Sequence, residues 1–579
     1  MITARARSAL TAVALALSLL LAAGTPSASG ATYARISGAG STWSENALRS
    51  WSTDVSQYGM PVQYAGTGSS DGRNQFREGN VDFAVSEIPY GLRDLGRLDT
   101  PPRRGYAYMP IVAGGTAFMY NLTINGRRVT NLRLSGEVIT RIFTGVITQW
   151  NDPRIAEDNP GLALPARRII PVVRSDGSGT TAQFTTWMAE THGGLWNDYC
   201  RAAGQRTPCG MTSNYPVVSG RGFIAQNGSL GVSGYVRQNY AEGAITYVEY
   251  SYASNANFPV AKVLNASNYY VEPTASAVAV SLLNARINED EGSSQYLTQN
   301  LDGVYRSDDR RSYPLSSYSY MIIPTDLSRP LTEDKGRTLS AFANYFLCEG
   351  QQDAEELGYS PLPINLVQAG FDQVRRIPGA ETEGIDIREC RNPTFSTDGT
   401  NTLAENAPYP PDCDRRGETQ CATGTGGARN PTDNSGNGGG GSGGGGSGDT
   451  GGSTASGGSG GAGGSGDTGG PGATGGAGGE SGGDAATGDS GADAAAGGTD
   501  GGGVIDPETG EYLDADGGAG GAQQVIGTPV AVGAESFWGL RTALMMVTAL
   551  LVVGVIVGPP VLARYLAGRD RRRTGAGTA

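Results

Sequence analysis

Residues 31–421 predict an α/β domain, and three observations carry that expectation. Strand-like apolar runs alternate with helix-like segments along the stretch. Three times a Gly/Ser/Thr cluster follows a strand-like run and opens an amphipathic helix. After Cys421 the composition changes abruptly to small residues, which closes the domain.

Taken in order, the chain begins with an export signal. Arg5 and Arg7 precede an apolar run over residues 9–23 and the small-residue stretch Pro26-Ser27-Ala28-Ser29-Gly30. This is the pattern of a cleaved signal peptide, with cleavage expected near residues 28–31, so residues 1–30 are left out of the fold. No cysteine precedes Cys200, which excludes a lipid anchor on a processed N-terminal cysteine.

The first cluster is Gly38-Ala39-Gly40-Ser41-Thr42-Trp43, and behind it Leu48, Trp51 and Val55 form one apolar helix face. The second is Gly66-Thr67-Gly68-Ser69-Ser70-Asp71-Gly72, leading into Asn74-Gln75-Phe76-Arg77. The third is Arg174-Ser175-Asp176-Gly177-Ser178-Gly179-Thr180-Thr181, followed by Phe184, Trp187 and Met188 on one face. Such helix starts suit anions. Their first N–H groups have no intrahelical partner, and the helix dipole places partial positive charge there. Glycine lets the backbone approach a ligand, and hydroxyls add rotatable donors. Any one cluster by itself is better explained as an ordinary N-cap. Three clusters, one led by Arg174, point to an anion site, because a guanidinium meets an oxyanion with two parallel donors.

Six cysteines in an exported chain predict three disulfides. Cys200–Cys209 and Cys413–Cys421 close short loops and are the first pairs to expect, leaving Cys348–Cys390; the sequence leaves the connectivity open. No cysteine spacing resembles a metal site, and nothing implies a cofactor. The formal net charge of −13 argues against a nucleic-acid partner. It is compatible with a small anionic ligand, whose site needs only local N–H groups and one or two arginines.

Residues 422–536 read as a disordered Gly/Ser/Asp-rich linker, too poor in large apolar residues to offset chain entropy. Such a coil has a reach on the order of 55 Å. Residues 542–563 are apolar over about the length a membrane-spanning helix needs, with Pro559 and Pro560 near the inner end. Arg564, Arg569, Arg571, Arg572 and Arg573 follow, so residues 564–579 are expected to be a basic cytoplasmic tail and the domain to lie outside the cell.

Catalysis is not expected. The one histidine, His192, follows the third cluster, but Ser178 sits in Asp-Gly-Ser-Gly-Thr rather than a G-x-S-x-G elbow. Glu289-Asp290-Glu291 reads as a solvated acidic turn.

The motifs GAGSTW, YAGTGSSDG, VDFAVSEIP, VVRSDGSGTT and ITYVEYSYA occur in the order seen in phosphate-binding receptors of bacterial phosphate ABC importers. Phe143-Thr144-Gly145, Trp150-Asn151-Asp152 and Asn159-Pro160-Gly161 strengthen the resemblance, which runs from about Ile36 to Ile377. It implies a two-lobed type II periplasmic-binding fold with a hinge. The first lobe would take residues 32–119 and 313–421, and the second residues 120–312. Inorganic phosphate would lie in the cleft, held by Thr42, Trp43, Ser69 and Glu87 on one side and by Arg174, Ser178, Gly179 and Thr180 on the other. Asp176 would orient Arg174. Trp43 stands where the family has Phe, and its backbone N–H is the expected contact. The implied partners are ABC permease subunits in the membrane. A tethered anion sensor or surface scaffold is the alternative that the long linker suggests.

One residue departs from the family pattern. Glu87 stands where the family has Asp, whose carboxylate accepts a hydrogen bond from a protonated phosphate oxygen and repels sulfate, which carries no such proton. Glu87 keeps the charge and reaches one methylene farther. It therefore preserves this discrimination, retunes it for another oxyanion, or pairs at the surface with Arg93 or Arg77.

Overall fold

A computed structural model describes residues 33–381, 387, 390–396 and 399–430, together with the backbone of Val504–Ile505 and Tyr512–Leu513. The expected alternation is present. Strand β1 (Ile36–Gly40) leads to helix α1 (Glu45–Ser56), β2 (Val62–Ala65) to α2 (Ser69–Glu78), and β3 (Phe83–Ser86) to the long strand β4 (Tyr106–Tyr120). Then come β5 (Ile170–Arg174) with α3 (Gly179–Ala202), β6 (Ile224–Gln226) with α4 (Gly228–Val236), and β7 (Ala244–Glu249) with α5 (Tyr250–Asn255). Strands β8 (Val260–Leu264) and β9 (Ser316–Pro324) complete the set used below.

The sheet runs β6-β5-β7-β4-β9-β3-β1-β2. β1 pairs in parallel with β2 and β3, and β5 in parallel with β6 and β7. β4 is shared: Tyr106–Gly115 pair with β9, while Thr116–Tyr120 pair with β7. The changeover falls between Gly115 and Thr116, next to Gly114, where a Cβ would stand 2.8 Å from the Trp43 ring. One strand thus carries two lobes with separate cores. The first core includes Leu48, Trp51, Val55, Phe83, Met109, Ile322 and Phe346. The second includes Phe118, Phe143, Trp150, Phe184, Trp187 and Tyr247. The predicted apolar face of α1 is fully buried. Trp51 stacks on Phe346 at 5.3 Å, and its indole N–H donates to the Gly350 carbonyl at 2.9 Å. Burying each such side chain stabilises by roughly 1.5–3 kcal/mol.

Cystines join Cys200 to Cys209, Cys348 to Cys390 and Cys413 to Cys421. The chain after Cys390 departs from expectation in two ways. Instead of completing the first lobe, residues 413–430 lie on the second. The buried Arg133 donates to the carbonyls of Cys413 (2.8 Å) and Glu418 (2.7 Å), and Lys262 pairs with Asp414 at 2.5 Å. The packed chain also continues past residue 421. Thr425 is fully buried, donates to the carbonyl of Thr130 at 3.0 Å and accepts from the Val260 N–H at 3.1 Å. Composition could not reveal this, because the docking is done by the Thr425 hydroxyl, backbone groups such as the Gly426 N–H on Glu272 at 2.8 Å, and a single charged side chain, Arg429, which pairs with Glu272 at 3.3 Å. Within the stretch expected as coil, Val504–Ile505 pairs antiparallel with Tyr512–Leu513. The signal segment and the apolar run 542–563 lie outside the described residues. Among the described residues no helix is long and apolar enough to cross a membrane.

Candidate functional site

Each of the three clusters forms the turn between a strand and the helix that follows it, and the fold brings the turns together from both lobes. In the first lobe the focus is Glu87, at the end of β3 and 1 % exposed. Its carboxylate accepts hydrogen bonds from Ser41, from Ser69 at 2.8 Å and from Ser319 of β9 at 2.6 Å. The surface pairing is not formed: Arg77 reaches Asp99, and Arg93 donates to the Gly96 carbonyl. The Trp43 N–H donates to Ser41 Oγ at 3.0 Å, within this same cluster. Its indole Nε1 is buried without a hydrogen-bond partner, and its ring meets Tyr359 edge-on at 5.8 Å.

In the second lobe the focus is Arg174, at the end of β5 and 2 % exposed. Asp176 grips it by two bonds, one from Nε at 2.7 Å and one from Nη2. Asp176 Oδ1 also accepts the Gly228 N–H at 2.9 Å. The orienting role that the resemblance implied for Asp176 thus has a geometric basis. Ser178 caps its own helix, accepting the Thr181 N–H at 3.2 Å. Thr180 Oγ1 is buried with no partner. The Arg174 backbone N–H donates to the hydroxyl of Tyr247, a phenol that burial pushes up to about 12.

The lobes touch through these groups. The Gly179 N–H donates to Ser69 Oγ at 3.1 Å, and the Ser70 N–H donates to the Gly177 carbonyl at 3.0 Å. Gln183 donates to the Glu87 carbonyl at 2.8 Å, and Thr42 Oγ1 accepts the Ser229 N–H at 3.1 Å. Two glycines make the approach possible. A Cβ on Gly179 would stand 1.8 Å from Glu87 Oε2 and 2.6 Å from Ser69 Oγ. Gly68 has φ of +97°, and a Cβ there would stand 2.7 Å from Asp176 Oδ2.

Four participants were not foreseen: Ser41 as a donor to Glu87, Ser319, Ser229 and Tyr252. Ser229 opens a fourth helix start of the same design, since β6 runs through Asn227 into α4. It bonds both Thr42 (2.9 Å) and Arg174 Nη1 (3.4 Å). The sequence Gln226-Asn227-Gly228-Ser229 carried that signal, whereas Ser319 lies inside a strand and carried none. Tyr252 donates to the Thr42 carbonyl. His192 lies elsewhere, edge-on to Trp187 at 5.3 Å, where burial holds its imidazole below the usual range. Glu289, Asp290 and Glu291 are exposed, as a solvated turn requires.

Comparison with known proteins adds family evidence. The model of the PBP superfamily domain matches residues 25–349. The phosphate-binding protein PstS of Xylella fastidiosa is 30% identical over 346 residues, covering 59% of this chain and 85% of that protein. PstS of Methanocaldococcus jannaschii is 29% identical over 360 residues, covering 58% and 85%. PstS of Haemophilus influenzae is 29% identical over 333 residues, covering 57% and 90%.

Proposed function

Because the chain belongs to the PBP superfamily and, within it, to the phosphate-binding protein family, we propose that it binds inorganic phosphate outside the cell and delivers it to an ABC permease. The observation that carries this reading is the burial of Glu87 in one lobe and Arg174 in the other, beside helix starts that touch through Ser69–Gly179 and Ser70–Gly177. Arg174 and the N–H groups of the turns compensate the oxyanion charge. Glu87 is acceptor-only when ionised, so it favours an oxygen that brings a proton. Hydrogen phosphate has one; sulfate does not, and the carboxylate repels it.

Thr42, Trp43 through its backbone, Ser69 and Glu87 form one wall in this reading, and Arg174, Ser178, Gly179 and Thr180 the other. The unpartnered hydroxyl of Thr180 supports its place there. Asp176 keeps Arg174 in its rotamer. Ser41, Ser319 and Ser229 join as holders of Glu87 and Arg174. In the same reading residues 1–30 direct export, residues 542–563 anchor the chain, and the linker holds the receptor close to its permease, raising its effective concentration there. The protein is a binder and not an enzyme.

Titration of the full chain with phosphate and with sulfate, read by tryptophan fluorescence, tests the assignment. Phosphate is expected to bind in the micromolar range or tighter and sulfate not at all. Equal responses to both anions, or none to phosphate, would sink it.

A further inference from the structure

A second cavity, of about 860 Å³, lies beside the interlobe contact and has no part in the phosphate site described above. Five arginines line it: Arg73, Arg77, Arg97, Arg103 and Arg104. Two carboxylates line it with them, and Asp326 and Asp82 act on Arg104 from outside the lining. Asp99 takes Arg73 at 2.8 Å and Arg77 at 3.4 Å, while Asp94 accepts the Ser213 N–H at 3.0 Å and the Ser213 hydroxyl. Arg97 and Arg103 are exposed, and neither has an ion pair among the described residues. Arg104 is packed on the Phe76 ring at 4.2 Å, and its Nε and Nη2 are buried with no hydrogen-bond partner. Five guanidiniums against two lining carboxylates leave a local cationic excess on a chain of net charge −13, and a cationic concavity concentrates anions.

The cavity also has a wall from each lobe. Ser70, Arg73 and Arg77 belong to α2, whereas Ser213 and Asn214 come from the second lobe, and Ser70 Oγ donates to Ser213 Oγ at 3.0 Å. The first turn of α2 therefore serves two places. Ser69 faces Glu87 and Gly179, and Ser70 faces this cavity.

We infer that this cavity is a second anion site, which takes a phosphate chain such as tripolyphosphate across the two lobes. Its volume falls in the range of roughly 300–1,000 Å³ typical of sites for small organic ligands. Forked guanidiniums match successive phosphoryl groups with paired donors. A chain spanning both walls also favours the closed arrangement of the lobes.

Calorimetric titration of the full chain with tripolyphosphate, in saturating phosphate, tests the inference. One further equivalent is expected to bind, weakened tenfold or more in an Arg97→Ala/Arg103→Ala variant. Phosphate affinity of that variant, measured separately, is expected to match the parent, which separates this site from the interlobe one. ATP is expected to bind with the same dependence on Arg97 and Arg103. The inference is overturned by any of four results. These are no second binding event, unchanged affinity in the double variant, one-for-one displacement of phosphate by tripolyphosphate, or binding of ATP without tripolyphosphate.

Discussion

On the first lobe's side of the interlobe site, three hydroxyls converge on the carboxylate of Glu87. On the second lobe's side, a carboxylate converges on the guanidinium of Arg174. Both sides use the same local device, a strand that ends in a Gly/Ser/Thr turn and a helix N-terminus. The shared device supplies affinity for any small oxyanion. In the proposed reading the opposite charges at the two foci supply the choice among oxyanions, because one attracts charge and the other tolerates only an oxygen with a proton.

Arg174→Ala breaks the contrast at its strongest point. It removes the site's cation and leaves Asp176 buried without its partner, a loss of about 3–5 kcal/mol. Phosphate affinity is expected to fall at least a hundredfold by calorimetry; an unchanged dissociation constant refutes the site. Gly179→Ala tests whether the two sides must meet. Its Cβ would stand 1.8 Å from Glu87 Oε2, so closure is expected to cost about 1–3 kcal/mol. Affinity is expected to drop roughly tenfold or more while the unfolding midpoint changes little, because the clash exists only between the lobes. Glu87→Gln sharpens the contrast. It replaces an acceptor with a group that also donates, so sulfate binding is expected to appear as phosphate affinity falls by about 1–2 kcal/mol. Competition titrations read both. Continued exclusion of sulfate would mean that Glu87 does not decide the choice.

The smallest effect concerns a third carboxyl. Glu249 caps α5 through the Ser251 N–H at 2.7 Å, and its Oε1 is buried without a partner near Gly114. Burial raises its pKa well above the ordinary value. The folded state therefore holds a proton that the unfolded state releases above about 4.5, and stability falls as pH rises from there through the folded pKa. Glu249→Gln is expected to flatten that decline, read as urea midpoints at pH 5 and pH 8. An unaltered slope would remove Glu249 as its source.

Much of this arrangement was legible along the chain. The faces Leu48/Trp51/Val55 and Phe184/Trp187/Met188 are buried as their spacing implies, because helix periodicity is a local property. The three clusters stand at helix starts for the same reason. Ser319 was not legible, since nothing about a serine within a nine-residue strand marks it as a donor to a carboxylate 232 positions away. The docking of Thr425 on the second lobe was hidden too, beneath a glycine-rich composition.

Sequence alone determined the α/β alternation, the helix starts, the identity of the charged groups and the expectation of export and anchoring. These follow from hydrophobic period, backbone chemistry and residue type, which are properties of neighbours along the chain. Only the tertiary structure decided that Glu87 is held by serines rather than by an arginine, and that Gly179 stands against it. It also decided that arginines from one lobe share a cavity with Ser213 and Asn214 of the other. Those outcomes depend on which strand ends the shared strand β4 brings together, and contacts between residues far apart in sequence leave no local trace.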